Sequence, residues 1–164
     1  MNTTISPPNN AMKTAQYLTF SLDNGTFAID INAVREIIQY CPMTEVPLMP
    51  DFVRGVINLR GAVLPVMDLR RRLGLAQIER SDRQRIMVFL IDGMRTGFIV
   101  DSVVEVLKIH KSAIEPAPRL SGEQNKLLAR MANLEKQKRM VQLIAPAHLI
   151  DTGDLAGLAQ ISGT

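Results

Sequence analysis

The chain has 164 residues, which is enough for about one domain with a core that needs no cross-links, and its single cysteine, Cys41, excludes an internal disulfide. A net charge of +3, an aromatic content of 4% and the lack of tryptophan argue against a dedicated nucleic-acid-binding face. The N-terminus has no secretion signal and no apolar run is long enough to span a bilayer, so we expect a soluble cytoplasmic protein.

Composition predicts three segments. Residues 1–14 are polar and contain prolines, so they are expected to form a flexible leader. The folded domain is expected over residues 15–150. Residues 151–164 have little periodic structure and are expected to form a tail.

The first predicted element is a β-hairpin over residues 17–31. Apolar residues alternate with polar ones on both sides of Asn24 and Gly25, a pair that is typical of a two-residue hairpin turn. The fold is therefore expected to begin with two antiparallel strands.

A short helix is predicted next, over residues 32–39. Asn32 is a suitable N-cap, and Val34, Ile37 and Ile38 recur at a spacing that places side chains on one side of a helix. We expect this side to be core, and partial exposure of Val34 or Ile37 to a partner is the alternative.

The middle of the chain predicts a second hairpin. Residues 56–59 and 62–67 are apolar and flank Arg60 and Gly61. Pro65 cannot donate to a sheet ladder, so its strand is expected to be an edge strand or a bulged one.

A one-turn helix should follow, beginning at Asp68 and ending near Gly74. It carries Arg70, Arg71 and Arg72, the densest basic cluster of the sequence. A run of like charges is usually a solvated surface, so we expect an exposed helix face, with a nucleic-acid contact as the alternative.

The second half predicts a further run of strands over residues 85–91, 95–101 and 103–109, with a turn at Asp92 and Gly93. Short strands without long crossover helices indicate an antiparallel all-β protein made of small barrels.

The pattern is weaker beyond His110. Residues 111–126 are expected to be a loop, and residues 127–135 fit either a strand or a short helix. Residues 139–145 predict a last strand, and residues 146–150 a terminal helix with proline in its first turn.

Patterns of catalysis and metal binding are missing from the sequence. His110 and His148 are far apart, Cys41 has no partner cysteine, and neither a nucleophile elbow nor a phosphate-binding loop occurs. No metal and no cofactor are therefore predicted, and the protein is expected to work through its surfaces rather than as an enzyme.

Arg60 is a candidate contact at the tip of the second hairpin. It can be a solvated turn cation, it can bind a carboxylate through two parallel hydrogen bonds, or it can hold a loop by donating to carbonyl groups. The residues alone leave these alternatives open.

Three stretches resemble, in this order, the CheW family of bacterial chemotaxis coupling proteins: FAIDINAVREII, FVRGVINLRGAVLPVMDLRRRLGL and GFIVDSVVEVLKI. The resemblance runs from about Tyr17 to Leu120 and more loosely to Ile150. It implies two SH3-like, five-stranded β-barrels that share a core, with a few short helices. It also implies a scaffold that couples the cytoplasmic helical hairpin of a transmembrane chemoreceptor to the regulatory domain of the histidine kinase CheA.

The resemblance also implies site residues. The matching positions for the receptor surface are Val34, Glu36, Arg60 and Ile86, with Arg60 either touching the receptor or bracing the surface from behind. Glu115 and Leu120 match a second kinase contact that closes rings of kinase and scaffold. A basic residue is typical of the family where Glu115 stands, so this contact is expected to be absent or to use different charges. The protein is expected at the membrane only through receptor arrays, with no nucleic acid as partner.

Departures from the family pattern near Arg130 and Ala145 leave a second function open, that of a scaffold in a surface-sensing, pilus or developmental pathway. A small-barrel protein that binds nucleic acid through Arg70, Arg71 and Arg72 is a less favoured alternative, as is a ligand-binding or enzyme domain.

Overall fold

A computed structural model of the chain describes residues 14–116, 130–134, 139–145 and 149. The strands in this part are β1 (Thr14–Leu22), β2 (Gly25–Asp30), β3 (Val34–Gln39), β4 (Val53–Leu59), β5 (Ala62–Asp68), β6 (Arg85–Ile91), β7 (Met94–Val100), β8 (Ser102–His110), β9 (Ile114–Pro116), β10 (Arg130–Leu134) and β11 (Arg139–Leu143). The helical pieces are α1 (Leu69–Arg72) and two 3-10 turns, Ile31–Ala33 and Lys111–Ala113. None of the helices in these ranges has the length and apolar character needed to cross a membrane.

The strands form two sheets, which confirms the all-β prediction. The six-stranded sheet has the order β8-β1-β2-β11-β10-β9, and the five-stranded sheet has the order β3-β6-β7-β5-β4. Five strands per barrel were expected, and the sixth is the three-residue strand β9. Most neighbours are antiparallel as predicted, but each sheet also contains one parallel pair, β11 with β2 and β5 with β7.

A shared core holds the two sheets together. Phe20 and Phe27 of the six-stranded sheet stack with ring centroids 5.9 Å apart, and Phe89 and Phe98 of the other sheet lie 5.5 Å apart in the same cluster. Each sheet also has a smaller cluster of its own. The shared core of the resemblance is thus confirmed.

Strand β6 contributes to two cores because its side chains alternate. Met87 and Phe89 enter the shared core, whereas Ile86 and Val88 enter the core of the five-stranded sheet. All four are fully buried. A strand that is apolar on both faces is typical of a position between two packed layers.

The two predicted hairpins are confirmed, with one shift. Leu59 pairs with Ala62, so Arg60 and Gly61 form the turn as predicted, with φ of 50° and 87°. These left-handed angles suit a tight turn that follows the twist of the strands. In the first hairpin Leu22 pairs with Gly25, so the turn lies one residue earlier than predicted, at residues 23–24.

Pro65 lies in an inner strand rather than an edge strand, but its missing N–H breaks no ladder. Its partner Val56 exchanges both backbone hydrogen bonds with Thr44, on the far side of β4, at 2.8 and 2.9 Å. Pairing of β5 with β7 begins only at Val66. Pro65 therefore occupies a position in β5 where neither neighbour needs a donor.

The helix predicted over residues 32–39 was wrong. Asp30, rather than Asn32, caps a single 3-10 turn by accepting the N–H of Asn32 at 2.9 Å. The chain then enters strand β3 at Val34 and pairs with β6. A helical turn does begin at this point, as the capping pattern predicts, but it is a single turn and the chain is extended from Val34 onward.

A bulge explains why the apolar spacing resembled a helix. Val34 pairs with Phe89 and Ile37 with Met87, and the register shifts between Val34 and Glu36. Cross-strand partners point to the same face, so Val34 and Ile37 both face the side of the shared core although they are three residues apart. A bulged strand and a helix can therefore place the same two residues on one side.

The remaining predictions in the C-terminal third are partly testable. Residues 85–110 form β6, β7 and β8 with the turn at residues 92–93 as predicted, and residues 130–134 form a strand rather than a helix. The last strand is confirmed as Arg139–Leu143. The predicted loop over residues 111–126 begins with a 3-10 turn and β9 instead. The leader, the tail and most of the predicted terminal helix lie outside the described residues.

The prediction of a solvated arginine face on α1 was wrong for Arg70. Its side chain is only 6% exposed, and Nε and Nη2 donate to the two carboxylate oxygens of Asp101 at 2.8 and 2.7 Å. A further bond runs from Nη1 to the carbonyl of Ala76 at 2.6 Å. Successive residues of a helix point about 100° apart, so a run of three cannot all face solvent on an element packed against a core.

This ion pair connects the two sheets. Arg70 follows β5 of the five-stranded sheet, whereas Asp101 links β7 to β8 of the six-stranded sheet. Asp101 also accepts the N–H of Asp23 in the first hairpin turn at 2.7 Å, and its own N–H donates to the carbonyl of Ser21 at 3.1 Å. The hydrogen bonds to Asp101, together with its negative charge, raise the pKa of Arg70 against the opposing effect of burial. The arginine is therefore charged at every ordinary pH.

The other two arginines also have internal partners. Arg71 donates to the carbonyl of Asp51 at 3.0 Å, and Arg72 donates to the carbonyl of Leu149 at 2.7 Å and lies over the ring of Phe52. A cluster used in this way does not offer three free cations to phosphates, which argues against the nucleic-acid alternative.

We expect Asp101→Asn to lower the free energy of unfolding by about 3 kcal/mol, because it removes the bidentate carboxylate of the buried Arg70 guanidinium and leaves only the more exposed Asp23, at 3.4 Å. The matched control is Asp51→Asn, which weakens an ion pair of Arg71 at a carboxylate that is 92% exposed and should cost less than about 1 kcal/mol. Urea unfolding monitored by circular dichroism measures both. Equal effects of the two substitutions would contradict the proposed bridge between the sheets.

Candidate functional site

An ion pair closes the five-stranded sheet. Strands β3 and β4 are the two outer strands of this sheet, yet Nη2 of Arg60, at the tip of the β4–β5 hairpin, donates to Oε1 of Glu36 on β3. The sheet must curl to bring its two edges together, as in a small barrel. The side chain of Arg60 is 64% exposed and that of Glu36 26%, so the pair lies at the surface.

The turn that carries Arg60 is held by a local bond. The side-chain oxygen of Asn58 accepts the N–H of Gly61 at 2.9 Å. Gly61 has a left-handed backbone and open space around it, which suits a turn rather than a packing contact. The hairpin tip therefore presents Arg60 from a defined position.

An apolar strip lies on the other face of β3, because Glu36 pairs with Val88 of the five-stranded core whereas Ile37 pairs with Met87 of the shared core. Val34 is half-buried against the shared core, and Ile37 is 41% exposed although it faces the same side. The exposure follows from the position of β3 at the edge of its sheet. We call Val34, Glu36, Ile37 and Arg60 the β3 surface.

The structure thus places three of the four residues matched to a receptor surface at edge strand β3, with Val34 and Glu36 on its two faces and Arg60 bonded to Glu36. Ile86 is the exception, because it is fully buried in the core of the five-stranded sheet. Its side chain presents no surface to a partner, so we omit it from the β3 surface. The sequence indicated Ile37 as a residue that could be partly exposed, but it did not assign Ile37 to the site. In the predicted helix, Ile37 lies on the same side as Val34 and Ile38, so nothing distinguished it from a core residue.

Of the two residues matched to a second kinase contact, Glu115 is exposed on β9, the outer strand of the six-stranded sheet. It pairs with Met131 of β10. Leu120 lies outside the described residues. Glu115 and the β3 surface therefore belong to different sheets.

Within the described ranges, no group of three His, Cys, Asp or Glu side chains is placed to hold a metal ion. The β3 surface consists instead of apolar side chains and a mutually neutralised ion pair. Such a combination provides both contact area and oriented hydrogen bonds, as at protein interfaces. Fold and surface together are those of a β scaffold with a surface suited to contact with another protein.

Comparison with known proteins gives the family. A sequence model described as the CheW-like domain matches residues 16–154. The chain is 36% identical over 129 residues to the probable chemotaxis protein CheW of Rhizobium etli, covering 79% of this chain and 83% of that protein. It is 34% identical over 140 residues to the chemotaxis protein CheW of Bacillus subtilis, covering 85% and 88%.

A solved structure agrees with this match. The crystal structure of the scaffolding protein TtCheW from Thermoanaerobacter tengcongensis superposes with a TM-score of 0.77 at 31% identity, covering 85% of this chain and 94% of that one. The chain belongs to the CheW family, and its role is that of a scaffold in chemotaxis.

The positions of Ile37 and Ile86 can be tested with one alanine substitution at each residue. Ile86→Ala should lower the free energy of unfolding by about 3 kcal/mol, since it opens a cavity in a closed core. Ile37→Ala, at a side chain that is 41% exposed, should cost less than about 1 kcal/mol. Thermal and urea unfolding of the two variants provide the comparison. A larger loss at position 37 than at position 86 would contradict the placement of the β3 surface.

Proposed function

We propose that the protein couples a chemoreceptor to the histidine kinase CheA without catalysing a reaction, and that the receptor binds at the β3 surface. Membership of a scaffold family supports the coupling role. The observation that carries the proposed site is the ion pair of Glu36 and Arg60 together with the half-exposed strip of Val34 and Ile37. Binding takes place in the cytoplasm, where the resemblance puts the receptor tip.

The chemistry of the β3 surface fits a helical partner. A receptor helix with an apolar side can cover Val34 and Ile37, since these two side chains face one side of the strand. Polar groups of the same helix then meet Glu36 or Arg60. Each of these charges already has a partner, so neither is left unpaired when the contact excludes water.

The ion pair also fixes the shape of the surface. Arg60 extends from the β4–β5 hairpin and Glu36 from β3, so their bond keeps the barrel closed behind the apolar strip. Loss of the bond would free the hairpin tip as well as remove a contact. Arg60 therefore acts in both of the ways that the sequence left open, as a surface group and as a brace.

For the kinase we propose, as the resemblance implies, that its regulatory domain binds one barrel and that a second contact lies at the outer strand of the six-stranded sheet. Exposed Glu115 on β9 and Leu120 are the candidates for the contact that links scaffold and kinase into rings. The family typically has a basic residue at the position of Glu115, and a basic residue would meet an acidic partner surface. Because Glu115 is acidic, its partner surface must be basic or neutral instead. This pairing would make ring formation selective for a kinase with matching charge.

The test of the receptor site is a charge reversal. Arg60→Glu should weaken binding to a receptor cytoplasmic fragment by about tenfold or more, because it places two carboxylates together at the β3 surface. The double variant Glu36→Arg, Arg60→Glu re-creates the pair with reversed polarity and should restore the fold of the hairpin tip. Arg95→Glu, at an exposed position of β7, is the control for the change in net charge.

Binding is measured by pull-down of each purified variant with the receptor fragment and, separately, with the regulatory domain of CheA, and by receptor-dependent kinase activity. Arg60→Glu should lose receptor binding and retain kinase binding. A folded Arg60→Glu protein with normal receptor-dependent activation would refute the receptor site. Failure of the unaltered protein to bind either partner would refute the coupling role itself.

A further inference from the structure

A polar cavity lies beneath residues 76–84, the segment between α1 and β6. Its volume is about 100 Å³, and it lies against the end of β5 and β7. Three arginines and two aspartates line it, a formal surplus of one positive charge. A space of this size holds several water molecules or one small polyatomic ion.

Two of the lining charges are satisfied within the protein. Arg70 uses Nε, Nη1 and Nη2 in bonds to Asp101 and to the carbonyl of Ala76. Both carboxylate oxygens of Asp101 accept from Arg70, and one of them also accepts the N–H of Asp23. The pair is neutral overall, and most of its hydrogen-bonding capacity is used within the protein.

Arg80 and Arg54 differ from Arg70. The guanidinium of Arg80 lies over the ring of Tyr40 at 4.8 Å, and among the described residues it has no carboxylate partner. Stacking uses the face of the guanidinium and leaves its in-plane N–H donors free. Arg54 reaches Asp68 only at 3.6 Å, beyond a hydrogen bond.

Gln84 adds an amide donor to the same space. Its residue is 9% exposed, and its side-chain oxygen accepts the N–H of Ser81 at 3.3 Å. The amide nitrogen has no protein acceptor within the described part of the chain, although Gln84 lines the cavity. The nitrogen is not one of the fully buried unpartnered atoms, so solvent reaches it and it is available to donate to a ligand in the cavity.

We propose that this cavity binds a small oxyanion, a phosphate or a carboxylate, through the guanidinium groups of Arg54 and Arg80 and the amide of Gln84. These groups supply only donors, and two arginines with planar donor arrays match the oxygens of such an anion. A single negative charge would balance the formal surplus of the lining. None of these residues belongs to the β3 surface, so the site is separate from the proposed receptor contact.

The adjoining space gives the anion a route to solvent. A second cavity of about 200 Å³ shares Tyr40, Arg80 and Gln84 with the first. Arg80 is exposed and lies on its tyrosine between the two spaces. Arg80 can therefore bind an anion at the entrance and remain bound to that anion when the anion moves into the smaller cavity.

The test is a titration of the full chain with sodium phosphate and, in a second arm, with sodium acetate, each against sodium chloride at equal ionic strength. Nitrogen–proton spectra should show saturable shifts at the amides of residues 80–84 in at least one of the two arms. Arg80→Gln should weaken the apparent affinity about tenfold or more, since it removes a charged donor. Arg83→Gln, an exposed arginine of the same segment that does not line the cavity, should leave the affinity within about twofold.

Arg54→Gln is the second binding variant, and the melting temperature of each variant without added anion shows that the fold is kept. The proposal is overturned if neither anion gives saturable shifts, if chloride gives the same shifts at equal ionic strength, or if Arg83→Gln weakens binding as much as Arg80→Gln. Saturation by phosphate alone, or by acetate alone, identifies which oxyanion the cavity accepts.

Discussion

The ion pair of Arg70 and Asp101 is the interaction on which the arrangement of the two sheets depends. Arg70 belongs to the turn of helix after β5, and Asp101 to the link that takes the chain from one sheet to the other. Hydrogen bonds of Asp101 to the backbone of Asp23 and Ser21 extend the connection to the first hairpin. Apolar packing between the sheets is non-directional, so this bidentate pair supplies the orientation that the shared core lacks.

Strand β3 has a special position because it lies at the edge of one sheet and over the core shared by both. Its bulge places Val34 and Ile37 toward the shared core while Glu36 reaches the hairpin tip of the opposite edge. An edge strand normally presents free backbone groups and attracts unwanted partners. Here the ion pair closes the barrel behind the strand, and the apolar strip that remains exposed is the surface we propose for the receptor.

Several arginines of the described residues are used inside the protein. Arg70 and Arg72 hold the helix to other elements, and Arg139 reaches Glu105 at 3.2 Å across the six-stranded sheet. A small net charge of +3 therefore does not form a general basic face. Two arginines that line the cavity are less fully used, since Arg80 has no carboxylate partner among the described residues and Arg54 reaches Asp68 only at 3.6 Å.

Sequence reasoning succeeded where the signal was local. Alternating apolar residues and turn pairs predicted both hairpins, and Asp68 was correctly identified as the cap of α1, where it accepts the N–H of Arg70 at 3.0 Å. It failed at residues 32–39, because a bulge in a strand reproduces the spacing of a helix. It failed at Arg70 too, since no sequence feature near that residue predicts Asp101 as its partner.

The amino-acid sequence by itself determined the two hairpins, the position of the turn at Arg60 and Gly61, and the family to which the chain is similar. These properties depend on residues within a few positions of one another. Only the tertiary structure decided that Glu36 meets Arg60, 24 residues away, that Asp101 meets Arg70, 31 residues away, and that Ile86 is buried while Ile37 is exposed. Those contacts arise when separate strands pack, so their partners are distant in the chain and close only in the fold.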